Sequence, residues 1–223
     1  MRQPITIKMF DNTKVAFKDK TDKDLSRAYF LFKTISNPFI SKTLTVFVKI
    51  ALFFKLPISG LIKATVYKHF CGGTTIENSQ KVIDKLWESH IGTILDYSAE
   101  GKKSEEDFNH VMEETIRTIL KSEQEESIPF SVFKFTGLCS FSLLERMSDH
   151  SVLTKKEEVE KGLFLSRIET ICKTAAKNKV PIFIDAEESW MQDAADMLVE
   201  ELMEKYNIEK AIVFNTLQMY RHD

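Results

Sequence analysis

The chain has 223 residues, of which 43% are hydrophobic and 29% charged, and a formal net charge of −2. That is enough apolar material for one or two packed domains. It excludes a strongly basic nucleic-acid binder and an acidic disordered tail.

The N-terminus carries no signal-peptide apolar region. Residues 1–20 read as extended and polar. Leu25, Ala28, Tyr29, Phe32 and Ile35 follow at helical spacing, so Asp24–Ile35 is predicted to be a helix that Asn37-Pro38 ends. A second helix is predicted over Thr43–Phe54. The stretch from Phe39 to Ile62 is the most apolar in the chain, but Lys42, Lys49, Lys55, Pro57 and Gly60 interrupt it. A spanning helix needs about 20 uninterrupted apolar residues, so none is expected. A core helix is the simpler reading; peripheral contact with a bilayer through Phe47, Leu52, Phe53, Phe54 and Leu56 is the other. Gly72-Gly73 reads as a turn rather than a phosphate cradle, and Thr74-x-x-Glu77 as a helix start whose apolar face is Ile83, Leu86 and Trp87.

After residue 90 strands and helices alternate. Strands are expected near 92–97, 129–135, 181–185 and 211–217. Between them come a helix over Ser104–Lys121, a helical pair over 141–178 whose longer part opens with Thr154-x-x-Glu157, and a helix over 190–206. This order predicts an α/β fold, with a helical region over 1–90 and four parallel strands joined by crossovers over 91–223. Barrel and open sheet both fit. No Gly-x-Gly-x-x-Gly follows a strand. Cys71, Cys139 and Cys172 form no Cys-x-x-Cys pair and the five histidines are scattered. Free thiols in a reducing compartment, the cytoplasm, and no metal site are the expectation.

Each strand ends in polar residues. Because strand side chains alternate faces, Asp96, Ser98 and Glu100 share one side, as do Lys134 with Thr136, Asp185 with Glu187, and Thr216 with Gln218 and Tyr220. Any one of these groups could simply cap a helix or join an ion pair. Four consecutive strands ending this way point to a single polar mouth at the carboxyl ends of the strands, where α/β enzymes place their chemistry.

Five stretches together resemble the proline dehydrogenase family: Phe70-Cys71-Gly72-Gly73-Thr74-Thr75, Leu95-Asp96-Tyr97-Ser98-Ala99-Glu100-Gly101, Lys134-Phe135-Thr136-Gly137-Leu138, Ile184-Asp185-Ala186-Glu187 and Asn215-Thr216-Leu217-Gln218-Met219-Tyr220. They occur in the family's order and cover the chain from about residue 65 onward. The resemblance implies a distorted (β/α)8 barrel with non-covalent FAD and hydride transfer from C5 of L-proline, giving Δ1-pyrroline-5-carboxylate. It implies that Lys134 sits near the substrate carboxylate and that Asp185 orders the flavin site, as the catalytic pair. It assigns Gln218 and Thr216, with Asp185, to the cofactor. It assigns Asp96 and Glu100 to substrate binding or gating, with a quinone as electron acceptor and transient membrane contact.

The four strands predict about half of such a barrel, a truncated form, and the family's Arg-x-x-Arg pair does not occur in the sequence. Little turnover and self-association through open barrel edges are therefore expected of the chain as given. A different (β/α)8 oxidoreductase or lyase, and a non-catalytic half-barrel interaction module, are the alternative readings.

Overall fold

The computed structural model describes residues 11–97, 104–220 and 222. The chain divides into two compact units, Met1–Val82 and Ile83–Asp223.

In the first unit, α1 (Thr13–Ala16) is a single helical turn in place of the extended segment expected there, and its cap Asn12 accepts from the Val15 N–H. Helix α2 (Asp22–Ile35) opens on a capping box in which Thr21 and Asp24 satisfy each other's backbone N–H. Helix α3 (Pro38–Phe53) starts earlier than predicted. Asn37 caps it by accepting from the Phe39 and Ile40 N–H groups, and Pro38 is its first residue. The Asn-Pro pair ends one helix and begins the next, because the missing proline N–H is one a first helical turn would leave unpaired anyway.

Short helices α4 (Ser59–Ile62) and α5 (Lys68–Phe70) flank a π-helical stretch, Lys63–Tyr67. Helix α6 (Ile76–Trp87) follows the glycine turn. A Cβ at Gly73 would lie 2.6 Å from Ser79 Oγ and 2.7 Å from its backbone N, so this close approach admits only glycine. Helix α3 is not the core helix that its composition suggests. Ala51 is its one buried side chain, and Phe39, Phe47 and Phe53 are exposed.

The second unit contains the sheet. Strands β1 (Ile94–Leu95), β2 (Phe130–Phe133), β3 (Ile182–Ile184) and β4 (Val213–Asn215) are parallel, in the spatial order β1-β2-β3-β4. Helix α7 (Glu105–Gln124) separates β1 from β2, α8 (Phe141–Ser148) and α9 (Lys155–Asn178) separate β2 from β3, and α10 (Gln192–Tyr206) separates β3 from β4. The Thr154–Glu157 capping box forms as predicted, and Lys179 ends α9 in the left-handed conformation (φ 57°).

The helices cover one face of the sheet. Phe133, Ile182, Ile184 and Val213 pack there with Ile119, Phe164, Ile168 and Val199 in one continuous core. Ser131 is polar and fully buried, and its hydroxyl is paired with Thr118 Oγ1 at 2.7 Å. The other face carries the alternate residues Phe130, Val132, Phe183 and Phe214, which are half-buried. Phe130 stacks on Phe183 with ring centroids 4.5 Å apart, and Phe214 completes the cluster at 5.6 and 5.5 Å. Among the described residues no helix is long and apolar enough to cross a membrane.

Candidate active site

Strand register sets the positions of the site residues. Phe133 pairs with Ile184 and Ile184 with Asn215. The next residues along, Lys134, Asp185 and Thr216, therefore leave neighbouring strands side by side, above the face that carries the phenylalanine cluster.

Lys134 Nζ lies 3.9 Å from Asp185 Oδ2, and both side chains are partly open to solvent. A pair at that distance and exposure contributes at most about 1 kcal/mol to stability, so its value is the charge it presents. On the β1 side, Asp96 and Tyr97 line a narrow crevice with Val132, Phe133, Lys134 and Gly137. Tyr97 also meets His110 of α7 edge-on at 5.7 Å, which fixes the end of β1 against that helix.

Beyond Asp185 the chain is held by hydrogen bonds from both neighbours. The Glu187 carboxylate accepts from the Thr136 backbone N–H at 3.1 Å and from the Thr136 hydroxyl. On the β4 side, Thr216 Oγ1 accepts from the Ala186 N–H at 2.9 Å and donates to the Ile184 carbonyl. Gln218 Nε2 donates to the Glu187 carbonyl at 2.7 Å. That leaves Gln218 Oε1 buried with no hydrogen-bond partner among the described residues. A buried acceptor without a donor costs about 1–3 kcal/mol, which makes this oxygen a natural point of attachment for an N–H-bearing ligand.

Asp96, Lys134, Asp185, Thr216 and Gln218 thus all stand at the carboxyl ends of the strands. Glu100 lies outside the described residues. Glu187 was legible only as sharing a side with Asp185; its partner Thr136 is distant in sequence. A second supporting group gave no sequence signal. Arg167 is 4% exposed. It donates to Asn109 Oδ1 at 2.8 Å, to the Leu138 carbonyl at 2.9 Å and to the Glu105 carboxylate, and so holds the segment after the 3₁₀ turn at Phe135–Gly137.

Cys139, close by, is no nucleophile. Burial pushes its thiol well above the usual range, and the carboxylates of Glu160 and Glu187 push it further. Among the described residues no group of three or more His, Cys, Asp or Glu is placed to hold a metal ion.

The family model described as Proline dehydrogenase matches residues 79–223. The chain is similar to proline dehydrogenase 1, mitochondrial, of Dictyostelium discoideum, with 31% identity over 250 residues, covering 94% of this chain and 43% of that protein. It is similar to the carbapenem antibiotics biosynthesis protein CarD of Pectobacterium carotovorum, at 32% identity, covering 74% of this chain and 44% of that protein. The chain spans less than half the length of these relatives.

Among solved structures, proline utilization A (PutA) from Bdellovibrio bacteriovorus, inactivated by N-propargylglycine, superposes with a TM-score of 0.58 at 15% identity, covering 95% of this chain and 23% of that one. PutA from Corynebacterium freiburgense superposes with a TM-score of 0.54 at 15% identity, covering 73% of this chain and 16% of that one. These two likenesses are of fold: the parallel strands follow a TIM-barrel-like proline dehydrogenase domain.

Proposed function

Because the chain belongs to the proline dehydrogenase family, we propose that it forms part of an active centre that oxidises L-proline to Δ1-pyrroline-5-carboxylate. The observation that carries this reading is the row of groups at neighbouring strand ends: Lys134 beside Asp185, then Thr216, with the unpartnered carbonyl of Gln218.

The donor set suits a flavin. A buried amide oxygen that lacks a donor calls for a ligand N–H, and the imide of a flavin ring is one. Gln218 would hold FAD at that edge, with Asp185 and Thr216 ordering the loop beside it. When bound, FAD supplies the hydride acceptor for C5 of proline, and a quinone is the proposed final acceptor of the electrons.

The chain's own residues align the substrate. An ammonium at Lys134 attracts the proline carboxylate into a pocket of lowered dielectric. Asp185 keeps that ammonium at the mouth in the absence of substrate. Thr216 spends its hydroxyl on the β3 backbone, so the Asp185–Glu187 turn stays where substrate must meet it. The same reading assigns Asp96, which lines the crevice with Lys134, and Glu100 to substrate binding or gating. Three free cysteines, two of them buried, fit a reducing compartment such as the cytoplasm.

The test is anaerobic titration of the FAD-loaded protein with L-proline, followed by loss of the oxidised flavin band. Bleaching by L-proline and not by L-alanine, weakened in Lys134→Met, supports the proposal. Equal bleaching in the two proteins would overturn it.

A further inference from the structure

We propose that Asp196 and Asn215 are positioning residues: they release β4 from the sheet at Thr216 and so set where the Gln218 amide stands. The observation is a break in an apolar layer. Phe133, Ile184 and Asn215 are register partners on three neighbouring strands. Phe133 and Ile184 are buried in the core beneath the helices; the third position is an asparagine. A polar side chain in such a layer needs partners, and Asn215 has them. Its Nδ2 donates to Asp196 Oδ1 of α10 at 2.8 Å, and its Oδ1 accepts from the Thr216 N–H at 2.8 Å. Asp196 Oδ1 also accepts from Gln192 Nε2 at 2.8 Å, and Gln192 is buried. A carboxylate only accepts, so Asp196 takes the NH2 of Asn215 and turns its oxygen to the Thr216 N–H.

That N–H belongs elsewhere in a regular sheet. The Ile182 N–H donates to the Ile212 carbonyl at 2.7 Å, and each bond of a parallel ladder recurs at every second residue. Continued to the strand ends, the ladder would give the Thr216 N–H to the Ile184 carbonyl and the Ala186 N–H to the Thr216 carbonyl. The Thr216 side chain takes both places instead: its hydroxyl donates to the Ile184 carbonyl and accepts from the Ala186 N–H. The displaced Thr216 N–H is the one that Asn215 receives. A hydroxyl has replaced a peptide group, and the backbone beyond Asn215 is free to leave the ladder. From there Gln218 Nε2 meets the Glu187 carbonyl at 2.7 Å, and its Oε1 stays buried without a partner among the described residues. The proposal takes from the preceding section only the reading of that oxygen as a flavin contact. In it, Asp196 and Asn215 act on the flavin edge through Thr216 and Gln218.

Asn215→Leu in the full chain tests it, because leucine repairs the apolar layer while removing the carboxamide. The urea midpoint should stay at or above the wild-type value. The dissociation constant for FAD, from quenching of its fluorescence, should rise about tenfold, the worth of one hydrogen bond. Nuclear magnetic resonance of the flavin-free chain labelled with 15N-glutamine reads the position directly, with the Gln218 side-chain signals assigned from Gln218→Glu, which deletes them. Those signals should move in Asn215→Leu. Asp196→Ala should weaken FAD about as much, and Asp196→Asn, whose amide oxygen can accept the same bonds, should return it to within about twofold of wild type. If Asp196→Ala does not fold, Asn215→Leu decides alone. Gln218 signals that do not move in Asn215→Leu, or a lowered urea midpoint with FAD affinity unchanged, each overturns the proposal. A wild-type chain that binds no FAD, with Gln218 signals that still move in the variant, supports the positioning and overturns the flavin reading instead.

Discussion

Both oxygens of the Glu187 carboxylate are taken by one residue, Thr136, through its backbone N–H and its hydroxyl. The clamp joins the turn after β2 to the loop after β3, and the Glu187 carbonyl in turn receives Gln218 Nε2. Thr136 is fully buried. Thr136→Val keeps its shape and removes a charge-assisted bond, which should cost about 1–3 kcal/mol. The readout is the urea midpoint, with Thr136→Ser returning to the wild-type value. An unchanged midpoint in the valine variant would mean that the hydroxyl bond adds nothing to stability.

Replacement of Lys134 separates charge from shape. Lys134→Met retains the unbranched stem and removes the ammonium facing Asp185. The ion pair is partly solvated, so stability should change by less than about 1 kcal/mol. Proline-dependent flavin reduction should fall roughly a hundredfold, as when a preorganised polar group is removed from a site. A large stability loss with little kinetic change would reverse these roles and make the lysine structural.

Arg167 offers the opposite case. Its guanidinium is buried and bound to Asn109, the Leu138 carbonyl and Glu105, with the Phe108 ring 5.5 Å away. Arg167→Met leaves the Leu138 carbonyl without this donor and the Glu105 carboxylate without its cation. Glu105 is half exposed and can be hydrated again, so the expected loss is about 3 kcal/mol, at the low end for a broken buried pair. Urea denaturation measures it. Glu105→Gln should cost less than Arg167→Met, because it removes only the exposed partner.

Thiol labelling should sort the cysteines by environment. Burial pushes Cys172 up to about 12, with Glu169 adding to the effect, and burial, with neighbouring carboxylates, also raises Cys139. Cys71 is exposed. At neutral pH one thiol per chain should react with a disulfide reagent in the native protein, and all three only in denaturant. Cys71→Ser should leave the native protein unreactive.

The four strands, the helices between them, and the gathering of Lys134, Asp185, Thr216 and Gln218 could be read from the sequence, because apolar runs ending in polar residues carry both period and position. Four features could not. The Thr136–Glu187 clamp and the Arg167 network join residues far apart in the chain, and periodicity says nothing about partners at that range. Helix α3 misleads for a different reason. It is apolar around most of its circumference, so composition does not say that Ala51, rather than Phe47 or Phe53, takes the packed side. The start of α3 at Pro38 escapes any reading in which proline only terminates a helix.

Glu169 and Tyr206 should give stability two pH limits. Glu169 accepts from Lys205 Nζ and from the Tyr206 hydroxyl, both at 2.6 Å, joining α9 to the end of α10. The hydrogen bond from Lys205, then that from Tyr206, holds the Glu169 carboxyl below its usual range. A carboxyl lowered by folding stabilises the fold above its unfolded value, about 4.3. That contribution is lost as pH falls through the folded value. Tyr206 is shifted the other way, by burial first and then by its bond to Glu169. Its contribution is complete below the unfolded value, about 10, and is lost as pH rises toward the folded one, because the unfolded chain releases the proton first. The urea midpoint should therefore fall below about pH 4 and above about pH 10. Glu169→Gln should flatten the acid limb and Tyr206→Phe the alkaline limb. If each variant shifts the midpoint equally at every pH, the pair contributes packing alone and the linkage is absent.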